Sequence, residues 1–358
     1  MASIDPLEKT YPIMPLSISK RTYPIAGILT TVYGLSELSS DIEDIVCLWL
    51  LHPRLKSQSS MEPLAHSIIG DWNRRIKEGK TDHDNPPKGL IAVSFDQRNH
   101  GTRKVDDLAN EAWRSGNPRH AQDMFSVYSG TALDTSLLIT YLSSYVFPES
   151  QYTIITNYIL GVSLGGHAAW QCLLHDPRVS TAVIIIGCPD YVRLMTDRAR
   201  LSKLETWISS SPPGSNFLGS KDFPPGLIEA IHRWDPSGFL MPQATEHSTL
   251  ELDGSERGQV QKILPRMKNS LGGKRILNLS GGADKLVPYR CSEPFLTWLK
   301  KAIAPGEWFQ DGDVLLEDII IDGKGHEVSP EMVTEAVRFV SERISQESHN
   351  RDKARPRI

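Results

Sequence analysis

The residues best placed to do chemistry are Gly161-Val162-Ser163-Leu164-Gly165. The apolar stretch Tyr158 to Val162 leads in and Gly166-His167-Ala168-Ala169-Trp170 leads out, so a G-x-S-x-G pattern stands between an expected strand and an expected helix. The spacing has a steric cause. A serine on a sharp strand-to-helix turn has a strained backbone, and side chains two residues before and after it would collide, so both places call for glycine. Such a turn holds the hydroxyl outward, while the following helix aims its first NH groups and the positive end of its dipole at the same spot. The alternative is a tight glycine turn with a purely structural use.

A serine hydroxyl is a poor nucleophile near neutral pH; it needs a base, and the base needs an orienting acid. Asp284 lies in Ser280-Gly281-Gly282-Ala283-Asp284-Lys285-Leu286-Val287-Pro288, directly after the apolar run Arg275 to Ser280. His326 lies in Gly323-Lys324-Gly325-His326-Glu327, directly after the run Leu315 to Ile321. Asp190, which follows the strand after the serine, is a rival for the acid but lacks the Gly-Gly turn. His100 is expected to hydrogen-bond backbone, and His167 to sit at the helix surface or in packing.

The order Ser163, Asp284, His326 resembles the nucleophile, acid, base order of the α/β-hydrolase superfamily, and the resemblance runs from about Ile45 to Ile344. It implies Ser163 as nucleophile, Asp284 as acid and His326 as general base. Phe95-Asp96-Gln97-Arg98-Asn99-His100-Gly101 resembles the family's D-x-R-G-H-G turn, with Asn99 where glycine is common. Asn110-Glu111-Ala112-Trp113-Arg114 with His120-Ala121-Gln122-Asp123-Met124 is reminiscent of a fungal branch. One departure concerns the oxyanion hole: the family usually has His-Gly after the contributing strand, whereas Leu51-His52-Pro53-Arg54 stands here. Proline has no NH, so the expected donors are the amides of Leu164 and Arg54.

Apolar runs of strand length alternate with helix-period segments, the signature of βα units and a mostly parallel central sheet flanked by helices. Expected strands are Ile45 to Leu51, Leu90 to Phe95, Tyr158 to Val162, Thr181 to Gly187, Arg275 to Ser280 and Leu315 to Ile321. Expected helices include one burying Leu64, Ala65, Ile68, Ile69, Trp72 and Ile76, one from about Ala121 to Tyr145, and a last one with Ser329 as N-cap and Pro330 at its first position. Residues 188–274 separate two strands by far more than the usual connection of roughly 2 to 6 residues plus a helix. The expected organisation is therefore an α/β-hydrolase-fold core, 1–189 and 274–346, an inserted cap, 190–273, and a basic disordered tail, 347–358. The insert's Trp207, Phe217, Phe223, Trp234, Phe239, Met195 and Met241 suggest either a mini-core of its own or a largely apolar substrate pocket.

The chain has 358 residues, 39% hydrophobic and 23% charged, as in a globular protein. A net charge of -4 provides no electrostatic footprint for nucleic acid. No apolar stretch approaches the ~20 residues of a membrane span, and the first residues hold no unbroken apolar core of a signal peptide, so a cytoplasmic location is expected. Four scattered cysteines favour reduced thiols, and the sequon at Asn278 is expected to be silent. The eleven histidines show no metal-ligand spacing, and no nucleotide-binding glycine motif occurs; neither a metal nor another cofactor is expected.

The resemblance thus implies a serine hydrolase cleaving a carboxylic ester, lactone or thioester of a small-molecule acyl substrate through an acyl-enzyme. Two other readings of the same triad are a prolyl-oligopeptidase-like peptidase and an acyltransferase. A non-catalytic module binding a small hydrophobic ligand is the reading from another class.

Overall fold

The computed structural model describes residues 5–11, 13–81, 87–241 and 254–347. The expected basic tail beyond 347 and the insert's 242–253 lie outside the described residues. Eight strands form one sheet in the order β1-β2-β4-β3-β5-β6-β7-β8. They are β1 (Lys20–Ile25), β2 (Ile28–Tyr33), β3 (Asp44–Leu51), β4 (Gly89–Phe95), β5 (Thr153–Val162), β6 (Val179–Ile185), β7 (Arg275–Gly281) and β8 (Leu315–Ile321). β1 and β2 form an antiparallel hairpin, β2 runs antiparallel to β4, and all other pairs are parallel.

The six central and far-edge strands fall where the apolar runs placed them; the hairpin was not anticipated. Its first strand, KRTYPI, carries two cations and Pro24 and is largely exposed, so it lacks the apolar run that marks a buried strand. Ala26 and Gly27, both at positive φ (49° and 77°), make the tight turn between the two strands.

Ten helices are described: α1 (Glu62–Lys77), α2 (His120–Val146), α3 (Leu164–His175), α4 (Tyr191–Ser202), α5 (Glu205–Ile208), α6 (Pro225–Trp234), α7 (Pro236–Leu240), α8 (Gly254–Leu271), α9 (Tyr289–Ile303) and α10 (Pro330–Gln346). Both faces of the sheet are covered, which is why the central strands read as unbroken apolar runs. In β3, Ile45, Cys47, Trp49 and Leu51 point to the layer built by α2, α3 and α9, while Val46, Leu48 and Leu50 point to that of α1 and α10. Ser329 caps α10, its hydroxyl accepting from the amide of Met332 at 3.3 Å, with Pro330 at the first helical position.

The segment between β6 and β7 contains α4 to α8. Its side chains Met195, Phe217 and Phe223 are fully buried. Phe217 packs edge-on against Trp113 and tilts against Phe223, and Phe223 lies beside Tyr191. Phe217 thereby joins the insert to the turn that precedes α2, and Phe223 packs within the insert. Asn278 is fully buried in β7, where its amide donates to Asp318 Oδ1 at 2.8 Å, so the sequon is closed to modification in the folded chain. All four cysteines are free and buried.

Candidate active site

Ser163 links β5 to α3 with φ 54° and ψ -111°, a conformation that costs a non-glycine residue roughly 1 to 3 kcal/mol. Its neighbours leave no room for side chains. A Cβ on Gly161 would lie 2.0 Å from the Gly165 carbonyl oxygen, and one on Gly165 would lie 2.1 Å from that of Leu51. The turn is held by the Ser163 amide donating to Ile185 O at 2.9 Å and the His167 amide donating to Ser163 O at 3.1 Å.

The loops after β7 and β8 meet in front of this turn. Backbone contact joins them: Gly282 NH donates to Ile321 O at 2.9 Å and Ala283 NH to Lys324 O at 2.8 Å. Gly281 must be glycine for this approach, since a Cβ there would sit 2.4 Å from Gly325 O. The approach brings His326 Nε2 to 2.9 Å from Ser163 Oγ and His326 Nδ1 to 2.8 Å from Asp284 Oδ2. All three side chains are buried. Asp284 Oδ1 accepts from the amides of Leu286 (2.8 Å) and Val287 (2.9 Å), which fixes the carboxylate plane. Burial alone would raise the Asp284 pKa; the His326 hydrogen bond and charge, with those two amides, outweigh it and lower the value. A carboxylate held ionised in this position fixes the tautomer with Nδ1 protonated, leaving Nε2 to accept from the serine hydroxyl.

The two proposed oxyanion donors are positioned differently. Leu164 is the first residue of α3, and Arg54 follows β3 by way of His52 and Pro53. Among the described residues neither amide donates to a protein acceptor. His52 shapes this loop: its ring is fully buried, Nε2 accepts from Gln97 NH at 3.0 Å and Nδ1 donates to Pro53 O at 2.8 Å. Burial pushes its pKa down to about 4, so it is a neutral hydrogen-bonding strut.

The other sequence candidates are elsewhere. Asp190 caps α4 by accepting from the Arg193 amide at 3.0 Å, and its other oxygen accepts from Ser237 Oγ at 3.1 Å. His100 donates through Nδ1 to Arg98 O at 2.9 Å, in a turn anchored by Asp96, which accepts from the amides of Gln58 and Thr102. His167 is not at the helix surface. It is buried beneath the elbow against Tyr128, with Nδ1 accepting from the Cys188 amide at 3.0 Å, and burial pushes its pKa down to about 3.

Two further polar residues lie beside these loops, His120, which the sequence placed only in the run reminiscent of a fungal branch, and Arg198, for which it gave no signal. His120, the first residue of α2, donates from Nδ1 to Glu111 O at 2.9 Å, and Arg198 of α4 approaches its Nε2 at 3.3 Å. Arg198 also donates to Leu286 O at 3.1 Å, two residues past Asp284. No motif marks an arginine in the middle of a surface-patterned helix.

No protein-family model and no curated relative matches the chain. Solved structures do. TT1662 from Thermus thermophilus superposes with a TM-score of 0.52 at 15% identity, covering 93% of this chain and all of that one. The fold is that of the α/β-hydrolases. Est1E from Butyrivibrio proteoclasticus, determined with ferulic acid bound, has a TM-score of 0.46 at 16% identity over 91% of this α/β-hydrolase-fold chain and all of its own. Pyrococcus horikoshii acylaminoacyl peptidase has a TM-score of 0.47 at 13% identity, over 91% of this chain and 41% of its own. Among the described residues no helix is long and apolar enough to cross a membrane, and no group of three His, Cys, Asp or Glu side chains could hold a metal ion.

Proposed function

We propose that this α/β-hydrolase-fold protein is a serine hydrolase that cleaves a carboxylic ester, or the related thioester or lactone, of a small acyl substrate. The observation that carries this reading is the continuous chain Ser163 Oγ, His326 Nε2, His326 Nδ1, Asp284 Oδ2, with links of 2.9 and 2.8 Å, at a strained turn backed by a helix N-terminus. In the first step the Ser163 oxygen forms a bond to the acyl carbon while its proton passes to His326 Nε2. The carbonyl π pair moves to oxygen, and the amides of Leu164 and Arg54 receive that charge, each donor worth about 3 kcal/mol in such sites. Collapse expels the alcohol, which leaves with the proton from His326, and the acyl group stays on Ser163. Water then repeats the sequence through the same histidine and releases the acid. Asp284 keeps Nδ1 protonated throughout and stabilises the imidazolium.

Residues 190–273 act in this reading as a cap. The Tyr191 hydroxyl donates to Ala121 O at 2.6 Å, and Arg198 reaches the Leu286 carbonyl on the acid loop, so the insert is tied to both sides of the strand ends. The test is labelling with a fluorophosphonate probe read by intact mass, with Ser163→Ala as control. One adduct, absent in the variant and accompanied by ester turnover that falls on the order of 10⁴ or more in Ser163→Ala, is expected. Folded protein that takes up no probe and turns over no ester refutes the reading.

A further inference from the structure

Two guanidinium groups lie beside the loops that carry the candidate site, Arg54 at the end of the loop after β3 and Arg198 against the Leu286 carbonyl two residues past Asp284, and among the described residues neither forms a salt bridge. Arg54 follows the loop that starts at Leu51, whose carbonyl oxygen lies against Gly165 of the elbow. Its Nη1 donates to Asn110 O, and among the described residues its Nε and Nη2 meet no protein acceptor. Arg198 comes from the opposite side, on α4 of the insert. Its Nη1 reaches His120 Nε2 at 3.3 Å and Met124 Sδ at 3.0 Å, and its Nη2 donates to Leu286 O at 3.1 Å.

Its Nε is out of contact with solvent and has no hydrogen-bond partner among the described residues. The two arginines are linked through consecutive carbonyls, since Arg54 holds that of Asn110 while His120 holds that of Glu111 and accepts from Arg198.

Every acceptor on this pair is neutral. His120 is uncharged, its pKa driven well down by burial and by the two arginines. Glu111 is the acid that faces Arg54, and it offsets only part of the burial that lowers the Arg54 pKa. Asp284 faces Arg198 but is committed to His326 and two amides. Burial and then the nearby Arg54 push the Arg198 pKa down to about 10, which still leaves it charged at neutral pH. Two like charges, largely desolvated and with no salt bridge among the described residues, are an arrangement that an anion completes. A strap between insert and core needs neither the second cation nor a spare NH.

We propose that Arg54 and Arg198 bind a carboxylate carried by the substrate, so that the preferred substrates are half-esters of dicarboxylic acids whose free end lies between the two guanidiniums while the ester carbonyl meets Ser163. Guanidinium presents paired NH groups in the plane of a carboxylate, which suits this class over an uncharged acyl chain. This inference rests on the hydrolase reading above and names its substrate class.

The experiment measures kcat and KM for monomethyl succinate, glutarate and adipate against methyl butanoate, pentanoate and hexanoate, by chromatography of the released acid. One or more half-esters should exceed its uncharged counterpart at least tenfold in kcat/KM. Arg198→Gln and Arg54→Gln should each lower that ratio tenfold or more, chiefly through KM for the charged substrate, and Arg198→Lys should restore part of it. Circular dichroism and fluorophosphonate labelling accompany each variant, and the two positions serve as independent tests if one fails to fold. Labelled enzyme that shows no half-ester preference, or a preference that both variants keep, overturns the inference and leaves the hydrolase reading standing. If Ser163 takes no label and no ester is cleaved, the hydrolase reading falls. Calorimetry with glutarate on Ser163→Ala then decides the anion site: binding that Arg198→Gln abolishes supports it, and no binding overturns it.

Discussion

Replacing Gly281 by alanine tests whether the close approach of two loops sets the catalytic distances. The added Cβ would lie 2.4 Å from Gly325 O and 2.6 Å from Lys324 O, both backbone atoms of the loop that carries His326. Restoring ordinary contact requires a separation of about 1 Å, and backbone cannot swing aside as a side-chain end does. Asp284 and His326 ride on these loops, three residues beyond Gly281 and one beyond Gly325. Passed on in full, the shift stretches their 2.8 Å link beyond hydrogen-bond range and breaks the 2.8 Å bond from Ala283 to Lys324 O. A misplacement of about 1 Å in a catalytic constellation costs on the order of 10²-fold in rate, or about 2.7 kcal/mol of barrier. Overpacking adds roughly 1 to 3 kcal/mol of lost stability. The neighbour provides the control, because a Cβ on Gly282 meets nothing nearer than 3.4 Å. Ester kcat/KM and thermal midpoint are measured for both variants. A near-normal Gly282→Ala beside a hundredfold-impaired Gly281→Ala is expected. Full activity in Gly281→Ala would refute the claim that this approach positions acid and base.

Asp284→Asn should lower kcat by roughly 10⁴ with the fold intact, since the amide oxygen stays with the Leu286 and Val287 NH groups and its NH₂ faces Nδ1, forcing the wrong tautomer; Asp190→Asn, at a helix cap, should keep most activity. The Asp284 pKa is lowered in the folded chain, so its stability contribution is present above pH about 4 and lost as pH falls through the folded value. Thermal midpoints of Asp284→Asn and the parent should therefore converge in acid, and a constant gap down to pH about 3 contradicts this. Asp235 has the opposite sign: burial first and then Asp190 raise its pKa well above the usual value. The native state holds a proton that the unfolded chain releases, so this group makes stability fall as pH rises from about 4 toward its folded pKa. Asp235→Asn should flatten that fall in a series of melts; an unchanged slope argues against a protonated Asp235.

Sequence periodicity made the sheet's centre legible because strands covered on both faces must be apolar along their whole length, as in β3. It missed the hairpin of β1 and β2 because an exposed edge needs no such pattern. The elbow was legible from Gly161 and Gly165, where steric exclusion leaves a single residue type. His326 and Asp284 were readable in turns after strands, Gly323-Lys324-Gly325 and Gly281-Gly282, while the sequence left His167 open between helix surface and packing, and the structure buries it. Its helix α3 is buried along nearly all its length, which decides for packing over surface.

What the sequence by itself determined is therefore the local: which runs become buried strands, where the chain must turn so tightly that only glycine fits, and which residue types are available for proton transfer. The tertiary structure alone decided the non-local. It set the 2.9 and 2.8 Å links among Ser163, His326 and Asp284. It also packed the insert's Tyr191 against Phe125 and Tyr128 of α2 and brought Arg198 over to the loops of Arg54 and Asp284. The physical reason is range. Backbone sterics and hydrophobic periodicity act over a few neighbouring residues, whereas a guanidinium's environment is made by whatever distant segments the folded core brings beside it.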